Sequence, residues 1–112
     1  MIMELSVLAE KLDLRTAVLF DGTSKVTGCY TGDLLSDCLV HSKPGDALVT
    51  VLLHENTLAV AKKNMLSCVI AANTSFVPEK LVKIALTHGV NLLFSERDSY
   101  HISVGIYRLL KG

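Results

Sequence analysis

Hydrophobic and polar positions alternate along the chain with two different periods, which predicts helices and strands in turn. The first helix carries apolar residues at i, i+3, i+4 and i+7, and this stripe predicts that the helix lies on a sheet; its members are Leu5, Leu8, Ala9 and Leu12. "RTAVLF" then has the composition of a strand, and Asp21-Gly22 is a turn signal before a second extended run, "KVTGCY". We expect a hairpin or a short loop to join these two runs.

The stretch "GDLLSDCLVHSKPGD" predicts a second helix. Gly32 and Asp33 mark the switch from strand to helix, and Pro44-Gly45 is expected to stop the helix because proline cannot continue it. Apolar residues repeat with helical spacing between these limits, so we expect them to face the core; they are Leu34, Leu35, Cys38 and Leu39.

The second half of the chain repeats the same alternation. "DALVTVLL" is a nearly unbroken apolar run, as expected for an interior, parallel strand that is covered on both faces. "TLAVAKK" predicts a short helix with Asn56 as its cap, and "SCVIAAN" predicts the next strand. Pro78 is expected at the first position of a helix that runs to His88 and is closed by Gly89, before the strand "VNLLF".

The last element is a helix from about Asp98 to Lys111. Strands alternate with helices from residue 25 onward, and this order is typical of an α/β fold. The sequence therefore predicts a single three-layer domain over residues 1–112, with a central, mainly parallel β-sheet flanked by helices. An antiparallel strand is expected near the N-terminus.

Composition narrows the possible functions. Eleven Lys and Arg balance eleven Asp and Glu, and aromatic residues make up 5% of the 112 residues. Both features argue against nucleic-acid binding, which needs a basic surface and stacking side chains. No apolar run approaches the ~20 residues that span a bilayer, and the N-terminus lacks the basic region of a signal peptide, so we expect a cytoplasmic protein without membrane contact. The three widely spaced cysteines predict buried, reduced thiols.

Polar side chains follow each predicted strand of the parallel sheet. In open α/β sheets, ligands bind beyond the carboxyl ends of the strands, where backbone N–H groups at helix starts can receive a carboxylate or phosphate. The candidate ligand-binding residues are Asp33, Ser36, Thr50, His54, Asn56, Asn73 and Ser95. For any single one of them, a role as a helix cap or turn residue is the alternative interpretation.

Other kinds of site find less support in the sequence. Ser36 with Asp37 and His41 suggests a nucleophile and a base, but there is no G-x-S-x-G, and Ser36 is expected inside a helix. We therefore predict no catalytic residue. The histidines and cysteines lack the close spacing of metal ligands, and no phosphate-binding glycine motif is present, so no metal or cofactor is predicted.

The central segment resembles a known family. "TGDLLSDCLVHSKPGDALVTVLLHENTLAVA" is similar to the central signature of DRTGG domains, small α/β modules of bacteria and archaea. The most specific matches are Gly32 to Asp37, Lys43 to Asp46, Val49 to Val51, His54 with Asn56, and Ala59 to Ala61. The letters that name the family are not contiguous here, since Asp13, Arg15 and Thr16 echo them only loosely. This chain therefore resembles the short, stand-alone branch of the family.

The resemblance implies an accessory or regulatory module of a kind that tends to pair with a second copy, and relatives of the domain occur beside CBS domains in regulated pyrophosphatases. We therefore expect a non-enzymatic, homodimeric domain that senses a small ligand. The apolar side of the helix at residues 78–88 is wider than we expect one sheet to cover, which also favours a dimer. The alternatives are a receptor for an anionic metabolite or nucleotide at the strand ends, and a small hydrolase that uses Ser36 and His41.

Overall fold

The computed structural model describes residues 2–112 and confirms the predicted alternation of strands and helices. Strands β1 to β7 span Met3–Glu4, Arg15–Val18, Lys25–Val26, Gly28–Thr31, Asp46–Thr50, Cys68–Ala71 and Leu92–Phe94. Helices α1 to α5 span Leu5–Lys11, Leu35–His41, Glu55–Lys63, Glu79–His88 and Ser99–Lys111.

Five strands form the central sheet in the order β2-β7-β6-β5-β4. Strands β4, β5, β6 and β7 are parallel, and β2 pairs antiparallel with β7. The predicted α/β fold, the mainly parallel sheet and the antiparallel strand near the N-terminus are thus confirmed. Strands β1 and β3 form a separate two-stranded antiparallel ribbon that the sequence did not predict.

The sheet is covered by helices on both faces. Side chains from α1 and α5 pack with Ala47 and Val49 in one hydrophobic cluster, and side chains from α2, α3 and α4 pack with Leu48 and Val69 in the other. Successive side chains of a strand point to opposite faces, so β5 and β6 contribute to both clusters. The predicted interior position of β5 is confirmed, and its extended run ends at Thr50.

The expected connection between the two N-terminal runs takes the form of a loop and not of a hairpin. The run "KVTGCY" divides into β3, which pairs with β1, and β4, which pairs with β5. Strands β2 and β4 lie at opposite edges of the central sheet. A turn signal is local, whereas the choice of strand partner depends on which faces must be buried, so the sequence pattern could not separate the two cases.

Helix α2 differs from its prediction at both ends. It begins at Leu35 and ends at His41, before Pro44. Of the predicted apolar stripe only Cys38 is fully buried, while Leu34 is 66% exposed and Leu39 is 39% exposed. The prediction that these leucines face the core was wrong, because Leu34 precedes the helix and a helix beside the edge strand β4 has little core to cover.

The cap of α3 was also assigned to the wrong residue. His54 is the cap: its ring Nδ1 accepts a hydrogen bond from the backbone N–H of Asn56 at 3.1 Å, and its own N–H donates to Thr57 Oγ1 at 3.2 Å. Asn56 instead lies within the first turn. The reciprocal pair satisfies two N–H groups that a helix start would otherwise leave unbonded.

Helix α4 ends at His88 as predicted, with Gly89 in the left-handed conformation at φ 70°. Pro78 was predicted as its first residue but lies one position before it. Its apolar side is covered within the chain. Leu81 and Ala85 are buried, Val82 and Ile84 pack against the same cluster, and only Leu86 stands out at 54% exposed. The apparent excess of apolar surface on this helix therefore gives no argument for a dimer.

Asp33 joins the loop after β4 to the end of β5. Its carboxylate Oδ1 accepts hydrogen bonds from Thr50 Oγ1 at 2.7 Å and from the Val51 backbone N–H at 2.8 Å. Thr50 is fully buried, and its Oγ1 also accepts from the Leu52 N–H at 3.0 Å. Asp33 is thus neither the start nor the cap of α2, since Leu34 precedes that helix and no side chain caps it.

We predict that Asp33→Ala destabilises the fold by about 1–3 kcal/mol, because it removes two hydrogen bonds to a charged acceptor and leaves the buried Thr50 hydroxyl without its partner. Urea denaturation would measure this change. Ser36→Ala is the matched control: Ser36 is exposed on α2, so its loss should change the stability by less than about 0.5 kcal/mol. Equal effects of the two substitutions would contradict the structural role of Asp33.

Candidate ligand site at the carboxyl edge of the sheet

The carboxyl ends of β4, β5, β6 and β7 meet at one edge of the sheet, as their parallel pairing requires. The antiparallel β2 brings its first residue, Arg15, to the same edge, opposite Phe94. Four loops gather there, at residues 32–34, 51–54, 72–78 and 95–98. This is the edge where ligands bind in open α/β folds.

A cavity of about 350 Å³ lies between the loops after β5 and β6 and the start of α4. Its walls include Val51, Leu53, Ala72, Asn73, Phe76 and Pro78. Phe76 is 66% exposed, so most of its ring is available for contact. An apolar wall with a few polar groups is typical of small-ligand pockets.

A neighbouring cavity of about 300 Å³ shares Leu53, Pro78 and Leu81 with the first and extends it toward the starts of α3 and α4. Its polar members are His54, Glu55 and Lys80. Lys80 Nζ is 4.0 Å from Glu55 Oε2, and both side chains are more than half exposed, so this ion pair is weak. Together the two cavities form a groove between the starts of α3 and α4.

The loops after β6 and β7 are bonded to each other. The backbone N–H of Asn73 donates to the Arg97 carbonyl at 2.9 Å, and that of Thr74 donates to the Ser95 carbonyl at 3.0 Å. Asn73 adopts the left-handed conformation, at φ 59°, which asparagine tolerates better than most residues. The Arg97 N–H donates to Ser95 Oγ at 3.1 Å. These bonds hold both loops in a defined position at the edge.

A third cavity, of about 360 Å³, lies at the β2 and β7 end of the edge. It is lined by Asp13, Arg15, Ser95, Glu96 and Arg97. The Arg15 guanidinium carbon lies 5.6 Å from the centre of the Phe94 ring, which is a cation–π contact. This is the most strongly charged of the three cavities.

The predicted ligand-binding residues divide between these places. Asn73 lines the first cavity, His54 the second and Ser95 the third. Asp33 and Thr50 bond to each other beside the Val51 wall, and Asn56 lies in the exposed first turn of α3. Ser36 lies on exposed helix surface and lines none of the three cavities.

The arrangement that a serine hydrolase needs is not formed by Ser36 and His41. The two residues are five positions apart on one helix, so their side chains point about 140° away from each other around the helix axis. His41 Nδ1 lies 3.0 Å from Asp37 Oδ1, and Asp37 also accepts a hydrogen bond from the Tyr30 hydroxyl. That bond lowers the pKa of Asp37 and raises the pKa of Tyr30 to about 12. This group of side chains explains the polar residues of α2 as a hydrogen-bonded surface.

Cysteine positions agree with the sequence prediction in two cases of three. Cys38 and Cys68 are buried and free, and burial raises the pKa of the Cys68 thiol, which keeps it protonated and unreactive. Cys29 is exposed, contrary to the prediction, because it lies on the edge strand β4. Within residues 2–112 there is no cluster of three or more His, Cys, Asp or Glu side chains suited to a metal ion.

Sequence reasoning missed Arg15 and Phe76 as residues of this edge. Arg15 is the first residue of its strand, so only the antiparallel direction of β2 brings it beside the carboxyl ends of the other strands. Phe76 lies five residues beyond β6 in a loop, and the available signal was an aromatic residue two positions before Pro78. None of the helices in the part of the chain that is described has the length and apolarity needed to cross a bilayer.

Comparison with known proteins identifies the fold but no sequence family. No protein-family model matches the chain, and no curated protein matches it significantly. The fold is similar to a crystal structure of the CBS and DRTGG domains of the regulatory region of Clostridium perfringens pyrophosphatase, complexed with the activator diadenosine tetraphosphate. The TM-score is 0.70 at 13% identity, and the match covers 92% of this chain and 45% of the other. The chain therefore has an α/β fold like that of this CBS and DRTGG region.

Proposed function

We propose that this chain is a regulatory module without catalytic activity, which binds a small anionic ligand at the carboxyl edge of its sheet and acts as a homodimer. The observation that carries the proposal is the similarity of nearly the whole chain to a regulatory region that was crystallised with a nucleotide activator. The resemblance of residues 31–61 to the DRTGG signature points in the same direction.

The geometry of the edge supports a ligand of the size of a nucleotide. The groove formed by the first two cavities combines volumes of about 350 and 300 Å³, which fall in the range of small-molecule sites. Phe76 offers an exposed ring on which a nucleobase can stack. Asn73 and His54 supply polar groups at the two ends of the groove. We therefore favour a nucleotide over a smaller metabolite.

Thermal unfolding with ATP, ADP, diadenosine tetraphosphate and acetyl phosphate tests the ligand. A ligand present at one hundred times its dissociation constant should stabilise the fold by about 2.7 kcal/mol. Phe76→Ala should reduce the stabilisation by nucleotides and leave that by acetyl phosphate unchanged. Phe20→Ala is the matched control. Phe20 is also exposed, but it follows the antiparallel β2 and so lies at the end of the sheet opposite the carboxyl edge. No stabilisation of the wild-type chain by any of the four compounds would contradict ligand sensing.

The dimer is supported by exposed apolar side chains at the same edge. Leu34, Val51 and Leu52 are all exposed, and the bonds of Asp33 to Thr50 and to Val51 bring their two loops together. The chain carries no formal net charge at neutral pH, so copies do not repel each other strongly. A second copy that covers this patch would place its interface beside the ligand groove.

Light scattering at low micromolar concentration should give the mass of a dimer for the wild-type chain. Leu34→Glu should give a monomer, because it introduces a charge into the apolar patch. Leu86→Glu is the matched control, since Leu86 is similarly exposed on α4. A dimer that is lost with Leu86→Glu and kept with Leu34→Glu would move the interface to α4. A monomeric wild-type chain would contradict the dimer.

A further inference from the structure

The cavity at the β2 and β7 end of the sheet is lined by two arginines that different contacts hold in place. Arg15 is anchored, since its guanidinium lies over the Phe94 ring at 5.6 Å from the centroid. Arg97 is held through its backbone, whose carbonyl accepts from Asn73 N–H and whose N–H donates to Ser95 Oγ. The two residues come from strand ends 82 positions apart in sequence, and antiparallel pairing brings them to one cavity.

The guanidinium groups of this cavity form no ion pair within the described part of the chain. Among residues 2–112, neither the Arg15 nor the Arg97 guanidinium has a carboxylate oxygen within 4.0 Å. Ser95 is only 6% exposed, and its Oγ accepts from the Arg97 N–H at 3.1 Å. Because Ser95 also lines the cavity, its O–H group can donate a hydrogen bond to an oxygen atom bound there.

Two acidic residues also line the cavity and oppose an anion. Asp13 and Glu96 are exposed, so solvent screens their charges, and they balance the formal charge of the two arginines. Long-range electrostatic attraction between the cavity and an anion therefore contributes little to binding. Recognition must depend on direct contacts, and a guanidinium presents its N–H groups in a fork that matches two oxygens of a phosphate or carboxylate.

We propose that this cavity binds a phosphate group, with the Arg15 and Arg97 guanidiniums and the Ser95 hydroxyl as its hydrogen-bond donors. The inference deepens the proposed function, on which it rests, by giving a position and a chemical class to the anionic part of the ligand. Phosphate fits this donor set better than a carboxylate does, because its three free oxygens can accept from two forks and a hydroxyl at once.

Inorganic pyrophosphate and ATP are the probes, each titrated by calorimetry into the wild-type chain and its variants at constant ionic strength. Arg97→Gln should weaken the binding of both probes by about tenfold, since a charge-assisted hydrogen bond is lost. Arg108→Gln is the matched control, because Arg108 is exposed on α5 and does not line the cavity. Arg15→Lys keeps the positive charge but removes the paired N–H donors of the guanidinium, so it should weaken binding as well. Asp13→Asn removes an opposing charge and should strengthen it.

The outcomes separate this inference from the proposed function. If ATP binds but Arg97→Gln and Arg108→Gln bind it equally well, the phosphate lies elsewhere and only this inference fails. If pyrophosphate binds in an Arg97-dependent way and no nucleotide does, the phosphate site stands and the nucleotide proposal fails. If neither probe binds the wild-type chain, both fail. Folding of each variant is checked by its thermal unfolding, and the exposed Arg97 can be replaced without disturbing the core.

Discussion

The burial of β5 and β6 on both faces is the constraint from which the rest of the structure follows. Ala47, Leu48, Val49, Val69 and Ile70 are fully buried, so helices must cover both sides of the sheet. A parallel pair also needs a crossover, and here each crossover is a helix. Because the buried residues of these two strands are almost all apolar, polar side chains collect at the ends of the strands and in the loops that follow them. The parallel direction collects four of these loops at one edge.

Polar contacts at that edge fix the loops and leave a surface free for binding. Asp33 ties the loop after β4 to Thr50, His54 caps α3, and the loops after β6 and β7 bond through Asn73 and Ser95. Three of these five residues, His54, Asn73 and Ser95, also line cavities of about 300 to 360 Å³. The interpretation of the polar residues as caps and turns and their interpretation as a ligand site are therefore compatible, since the same side chains build the walls of the site.

The fold could be predicted from the sequence to a large extent because it depends on patterns within each element. The apolar run at Asp46–Thr50 predicted an interior strand, and Gly89 predicted the end of α4. The features that the sequence did not predict correctly depend on contacts between residues distant in sequence. The pairing of β3 with β1, the exposure of Leu34 and Leu39, and the covered face of α4 are set by tertiary packing. Asparagine is a residue type that often caps helices, and Asn56 was predicted as the cap for that reason. The helix begins at Glu55, however, so the N-cap position belongs to His54.

The sequence predicted only part of what lines the carboxyl edge. The rule for parallel sheets selects this edge as the candidate site, and His54, Asn73 and Ser95 line cavities there. Arg15 could not be foreseen, because its presence depends on the antiparallel direction of β2. Ser36 was predicted as a ligand-binding residue because of its neighbours in sequence, but it lies on the exposed surface of α2.

We propose that the carboxyl edge of the sheet binds the ligand. The most direct test follows the backbone amide chemical shifts of the ¹⁵N-labelled chain during a titration with ATP. We predict shifts in the loops at residues 51–54, 72–78 and 95–98, with little change elsewhere. Another cavity of about 290 Å³ lies beside β4, between Gly28 and Leu110. Shifts that concentrate around that cavity, or the absence of any shift, would contradict the account.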